Sequence, residues 1–194
     1  MGLSIHYSGS FNKAASLSAM IEEVRDIVSV YKWPFYTYKE DFAVGGLGKT
    51  SYNKKIYGIS FTPPGCETVC LCFLSNGRMS SSSHLKFYEH SKNKQEQQFP
   101  YMLFLKTQYA GIEIHKLIIH LFKYLSKKYF TDFKLQDEGE YWETGDEKVL
   151  QDNFNRYTNL INNFVTAIES FPLLPGETFE DYFKRMMEFI RDKK

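Results

Sequence analysis

The stretch that decides the fold reads K-I-Y-G-I-S-F from Lys55 to Phe61, T-V-C-L-C-F-L from Thr68 to Leu74, S-N-G, and R-M-S-S-S from Arg78 to Ser82. Short runs rich in β-branched and aromatic residues, broken by turn residues, are the mark of consecutive strands. Asn76 and Gly77 both tolerate the positive φ of a two-residue turn, so the last two runs read as a hairpin. Strands joined this closely pair antiparallel, which points away from a parallel α/β fold and toward an α+β one.

Working outward, Phe35 to Tyr38 reads as another strand, and Leu3, Ile5 and Tyr7 alternate with Ser4, His6 and Ser8 at the period of two expected of a half-buried strand. Between them Leu17, Met20, Ile21, Val24, Ile27, Val28 and Tyr31 recur at three-and-four spacing, predicting a helix from about Asn12 to Tyr31 that Pro34 ends. On the other side, Glu89 to Gln98 holds no apolar residue and reads as a mobile loop. Tyr101 to Tyr109 then reads as a strand. Ile114, Leu117, Ile118, Leu121, Phe122, Leu125 and Tyr129 predict a helix from about Gly111 to Phe130, and Phe133 to Asp137 a last strand. Leu150 to Phe171 carries a long helical stripe stopped by Pro172 and Pro175, and a final aromatic helix begins near Thr178.

The expected order is therefore β-α-β-β-β-β-β-α-β-α-α: an α+β fold with one mainly antiparallel sheet of six or seven strands packed with three to four helices. The whole chain, 1–194, is expected to form a single domain. Its last helix, 177–194, is set apart by the linker and suited to a homo-oligomer contact.

At 194 residues the chain can bury about 70% of the surface its unfolded form exposes, without staples. Its 17% aromatic content suggests a core built on rings. A formal net charge of +1 leaves no broad basic footprint, so no nucleic-acid partner is expected. No apolar run approaches the roughly 18 residues of a membrane span, and Met1 to His6 has no basic region followed by an apolar one, so no membrane partner is expected and the cytoplasm is the expected address. Three cysteines, Cys66, Cys70 and Cys72, are odd in number and lack a second ligand pair, which reads as reduced, buried thiols rather than a disulfide framework or a zinc site.

Two passages carry chemistry-bearing residues. Ala43 to Thr50, A-V-G-G-L-G-K-T, fits a relaxed phosphate-loop pattern, but charged residues precede it and a strand follows it, where that loop needs a buried strand before and a helix after. It reads as a glycine turn, and ATP or GTP is not expected there. Asp137 to Glu147, D-E-G-E-Y-W-E-T-G-D-E, packs six carboxylates around Tyr141 and Trp142. Thr144 to Glu147 reads as a capping box, with the Thr144 hydroxyl on the Glu147 amide, which assigns Asp146 and Glu147 to helix initiation. Of the rest, Asp137 shares a strand face with Phe133 and Leu135. It is the carboxylate expected to be desolvated, and burial would raise its pKa unless a cation or hydrogen bonds offset it.

Strand parity places Lys106 and Gln108 on one face at the end of their strand, just before the helix that carries His115. If the Lys106 and Asp137 strands are neighbours, these residues meet the acidic turn at one edge of the sheet. His6 lies on the polar face of the first strand with Ser4 and Ser8.

The motifs G-L-S-I-H-Y at Gly2 to Tyr7, K-T-Q-Y-A at Lys106 to Ala110 with His115 after it, and D-E-G-E-Y-W-E-T at Asp137 to Thr144 together resemble a family of uncharacterised bacterial proteins with no assigned activity. They cover about a fifth of the chain. The resemblance implies that His6, Lys106, Gln108, His115, Asp137, Glu138, Tyr141, Trp142 and Glu143 are the positions to test. Two readings stay open. In the first, a hydrolytic or metal-assisted enzyme, Asp137 and Glu138 act as base or ligands of a divalent cation. His6 or His115 carries a proton, and Lys106 with Gln108 holds an anionic or amide group of a small molecule. In the second, a binding or assembly module, Tyr141, Trp142, Glu143 and the acidic turn grip a basic or peptide partner. No nucleophile elbow, H-E-x-x-H or dinucleotide fingerprint favours an enzyme.

Overall fold

The computed structural model describes residues 3–88, 90, 93 and 96–191. Gly2 of the first motif, residues 89, 91, 92, 94 and 95 of the polar passage, and 192–194 of the last expected helix lie outside the described residues. The chain divides into two compact units, Met1–Phe154 and Asn155–Lys194.

The first unit is α+β. Strand β1 (Ser4–Phe11) leads into helix α1 (Leu17–Val30), then β2 (Phe35–Thr37), β3 (Tyr57–Phe61), β4 (Val69–Phe73), the short helix α2 (Ser82–Tyr88) and a 3-10 turn at Glu96–Tyr101. After these come β5 (Leu103–Lys106), α3 (Gly111–Tyr129), β6 (Phe130–Asp137), the one-turn α4 (Tyr141–Thr144) and the start of α5 (Glu147–Ser170). Helix α1 starts five residues later than its apolar stripe suggests, because the Ser16 hydroxyl caps it by accepting the Ala19 amide.

Among the described residues six strands form two antiparallel three-stranded sheets, in the orders β5-β1-β6 and β2-β3-β4, rather than the single sheet of six or seven expected. The reason lies in the fifth expected strand, Arg78 to Ser82, which does not form. Gly77 takes φ 87° and the turn forms, but the returning residues Arg78 to Ser80 make only isolated bridges. Leu74 and Ser80 amides bond across to Arg78 and Cys72 carbonyls, while Phe11 and Met79 amides bond to Gly77 and Gly9 carbonyls. The segment 77–80 thus joins β4 on one side to the end of β1 on the other, and α2 follows at once.

A second link is a side chain. Tyr7 Oη on β1 donates to the Cys70 carbonyl and accepts the Cys70 amide, both at 3.1 Å, so it satisfies the outer edge of β4. Around it an aromatic seam fills the space between the sheets. Phe11 lies 5.2 Å from Phe73, Phe73 5.8 Å from Phe130, and Tyr7 4.7 Å from Phe122 of α3. This is the ring-rich core that the composition suggests.

Helix α3 buries His115, Ile118, Ile119, Phe122, Leu125 and Tyr129. Its core face is therefore rotated toward Ile119 from the expected stripe, and Ile114, Leu117 and Leu121 are only half-buried. The expected capping box is replaced. Gly145, in the left-handed conformation, ends α4, and Asp146 caps α5 by accepting the Lys148 and Val149 amides at 2.8 and 3.4 Å. The Thr144 hydroxyl bonds back to the Glu140 carbonyl, and Glu147 reaches Lys116 at 2.7 Å. The phosphate-loop look-alike at 43–50 is irregular chain with no helix after it, and the Gly48 amide bonds the Asn76 carbonyl of the hairpin turn.

The second unit holds the end of α5 and helix α6 (Phe179–Arg191). Thr178 starts α6 by accepting the Asp181 amide while bonding the Asp181 carboxylate at 2.7 Å. Arg185 clamps Glu177 at 2.6 and 2.7 Å and stacks 4.1 Å from the Phe171 ring. Among the described residues no helix is long and apolar enough to cross a membrane.

Candidate functional site

Strand β6 brings Asp137 to the inner face of its sheet, where its side chain is fully buried. The chain then turns through Glu138 to Glu140, and the first amides of α4 have no helical partner of their own. Asp137 supplies one. Its Oδ1 accepts the Gly139 amide at 2.7 Å, and its Oδ2 accepts the Tyr141 and Trp142 amides at 2.9 and 3.1 Å. His115 Nε2 lies 3.1 Å from both carboxylate oxygens. An ionised carboxylate only accepts, so Nε2 carries the proton, and Nδ1 meets the Thr107 hydroxyl at 2.8 Å. Phe154 presents an edge to the His115 ring at 5.6 Å.

Burial works to push the Asp137 carboxyl up, but the hydrogen bond from His115, its charge, and the Gly139 and Trp142 amides outweigh burial and hold it below the usual carboxylate value. The carboxylate is thus the knot of a buried Thr107–His115–Asp137 chain that ties the end of β5, the start of α3 and the end of β6. Its oxygens already take four donors, and a cation or substrate could reach them only by displacing those bonds.

The expected neighbours sort as follows. Strands β5 and β6 are separated by β1, with Ile5 opposite Leu105 on one side and Asp137 on the other, so Lys106 is not beside Asp137. Strand β5 ends at Lys106, which breaks the parity expected for Gln108. Lys106 faces solvent, whereas Gln108 turns inward and accepts the Leu3 amide at 2.9 Å. Tyr141 is buried, with its hydroxyl 3.3 Å from His120 Nε2, and Trp142 is half-buried against Phe133. Glu143 Oε1 lies 3.4 Å from the Asp137 amide. On the solvent face Glu138 accepts the Ser4 amide at 2.8 Å and stands 3.6 Å from His6, which is half-exposed. The structure therefore joins His115 to Asp137 and His6 to Glu138 as two separate pairs, one buried and one at the surface. Among the described residues no three His, Cys, Asp or Glu side chains group as a metal set.

A roomier cavity lies elsewhere, on the second sheet. It measures about 460 Å³ and is lined by β2, β3, β4 and the residues that open α2. Tyr36 and Tyr38, on the strand face of Ser60, supply rings, and Ser60, Thr62, Thr68 and Ser82 supply hydroxyls. None of its twelve lining residues is charged.

No protein family, curated protein or solved structure matches the chain.

Most of the cavity lining comes from the stretch between Lys55 and Ser82, and β2, its flanking residues and Ser83 supply the rest. Ser60 and Cys70 are paired across β3 and β4, and the Thr62 and Thr68 hydroxyls bond at 2.8 Å just beyond the strand ends. Ser81 precedes α2 and accepts the His84 amide at 3.1 Å, while its hydroxyl sits 2.7 Å from His84 Nδ1. Burial lowers His84 from its ordinary value, which favours the neutral ring. The Cys70 thiol, in the lining, is lowered by a hydrogen bond from Cys72 against the pull of burial. Burial raises Cys72 and pushes Cys66, beside Glu67, up to about 12. The signal for this cavity was present as the run Ser80 to His84, S-S-S-S-H, behind two cysteines of one strand face, but sequence could not show that β2 borders it.

Proposed function

We propose that the protein binds a small uncharged molecule bearing a ring and several hydroxyls, of the size and chemistry of a sugar or nucleoside, in the cavity of the second sheet. The observation that carries this reading is the lining: rings and hydroxyls together with no charge. Ligand sites are concavities of roughly 300–1,000 Å³ with apolar walls and a few placed polar groups, and the volume falls in that range. A phosphate or carboxylate would enter without a counter-charge, at a desolvation cost that nothing in the lining offsets. Tyr36 and Tyr38 are set edge to face at 4.8 Å and present ring surface for stacking.

Amide chemical-shift mapping with neutral glycosides and nucleosides tests this. Binding should shift signals of β2, β3 and residues 81–83, and Tyr38→Ala should abolish it with the fold intact. Shifts confined to the His6–Glu138 face, or a response to charged ligands alone, would overturn the reading.

A second, hydrolytic reading is favoured by the short contact of Ser81 with a neutral His84, since a hydroxyl so placed is an activated nucleophile. Covalent labelling by a fluorophosphonate, lost in Ser81→Ala, is its expected signature; an unlabelled wild type would sink it. The acidic-aromatic turn supports neither a metal nor a peptide role as well as this cavity does, because Asp137 and Tyr141 are spent on the fold.

A further inference from the structure

The second unit carries an apolar surface that its own 40 residues do not cover. Among the described residues ten of the 21 exposed large apolar side chains fall in it, against eleven in the 154 residues of the first unit. They are ordered. On α6 Phe179, Phe183 and Met187 stand at i, i+4, i+8 and are 72, 42 and 63% exposed, beside the buried Tyr182 and Met186. On α5 Phe164, Val165 and Ile168 form a matching stripe, each between 39 and 51% exposed. A helix with two adjacent apolar stripes, one buried and one open, is built to be covered on both.

The partner's chemistry follows from charge and area. The polar positions of α6 hold Glu180, Asp181, Lys184, Arg185, Glu188 and Arg191, three of each sign. Lys184 pairs with Glu180 at 2.9 Å and Arg185 with Glu177 at 2.6 Å. Such a surface has no net field to draw nucleic acid or an anionic bilayer, and a membrane-surface helix would be rich in Lys and Arg. A self-neutralised surface suits an identical one. Half-exposed side chains of this size contribute on the order of 90 Å² each, so the six of the two stripes offer roughly 540 Å² per copy and all ten of the unit roughly 900 Å², a range that spans the ~800 Å² per partner of a stable interface. A unit of about 40 residues also falls at the size below which association commonly supplies the missing core.

We propose that the α5–α6 hairpin is a homodimer contact, in which the open stripes of two copies pack on each other about a two-fold axis as a four-helix arrangement. The reading is independent of the ligand proposed for the cavity. Light scattering after size exclusion of the full chain should give twice the 22.8 kDa protomer mass. Phe183→Asp with Met187→Glu should return it to the protomer mass with unchanged helical circular dichroism. Phe164→Glu on the other helix should do the same, and guards against a folding defect in the first variant. A wild type that stays monomeric at about 100 μM would overturn the proposal, as would variants that remain dimeric. Wild type that sediments with anionic vesicles and is monomeric without them would assign the stripe to a bilayer instead.

Discussion

Asp137→Asn is the perturbation that weighs the buried chain of bonds. The carboxylate accepts Gly139, Tyr141 and Trp142 amides and the His115 imidazole, and both oxygens are used. An asparagine amide keeps one acceptor oxygen and turns an NH2 toward the donors the other oxygen served, so at least one buried N–H faces another donor. An orphaned buried donor costs about 1–3 kcal/mol, and breaking a buried pair by changing one partner about 3–5 kcal/mol. The expected loss is about 3–5 kcal/mol out of a total of roughly 5–15 kcal/mol. At about 2–4 °C per kcal/mol for a domain of this size, Tm should fall by roughly 6–20 °C. Urea unfolding followed by tryptophan fluorescence reports on the first unit alone, since both tryptophans, Trp33 and Trp142, lie in it. The pH dependence carries a second signature. The Asp137 pKa is lowered in the folded state, so its contribution is fully present above the unfolded value of about 3.9 and is lost as pH falls through the folded one. Wild type and variant should differ most at neutral pH and converge in acid. A loss under about 1 kcal/mol at pH 7, or a gap that widens in acid, would refute the account of Asp137 as the knot of the fold.

Gly139→Ala should cost about 1–3 kcal/mol in the same assay, because a Cβ there would stand 2.7 Å from Leu150 Cδ1 and 3.0 Å from His115 Nε2; an unchanged midpoint would show that this turn yields freely. Asp146→Ala should remove about 1 kcal/mol through the lost cap of α5, whereas Thr144→Val should leave the Lys148 and Val149 amides capped and cost less, the reverse of what a Thr144 capping box requires. Of the three cysteines, Cys70 should be alkylated first by iodoacetamide at pH 8, as its thiol is lowered and lines the cavity while Cys66 and Cys72 are raised; peptide mapping that finds Cys66 first would contradict this. Lys106→Ala should change stability by less than about 0.5 kcal/mol, and a larger loss would show that this exposed side chain holds something in place.

How far the site was legible depends on the range of the interaction that makes it. Asp137 at the end of an inward-facing row was readable because side chains alternate along a strand, and the burial it predicted is present. That Asp137 would meet His115 and the α4 amides, and be held ionised by them, was not readable, because the contacts span 22 residues and depend on where α3 returns to the sheet. Gln108 misled for a local reason. Parity holds only while the strand lasts, and β5 stops two residues before it. His84 was legible only as a residue near a polar loop; its pairing with Ser81 needs the first turn of α2, which has no strong apolar period to announce it.

By itself the sequence determined what most of the longer segments are: period-two strands, three-and-four helices, the Asn76-Gly77 turn, and an α+β class built on aromatic residues. These follow from backbone sterics and from which face of an element is apolar, both local properties. Only the tertiary structure decided that the decisive stretch ends in a bridge rather than a strand. Residues 77–80 divide their backbone bonds between β4 and β1, which closes one antiparallel set and opens the other, and no residue in the stretch states which distant strand will take those bonds. The same division leaves β2, β3 and β4 as a small sheet of their own, with Ser60, Cys70 and Ser81 brought together around the cavity.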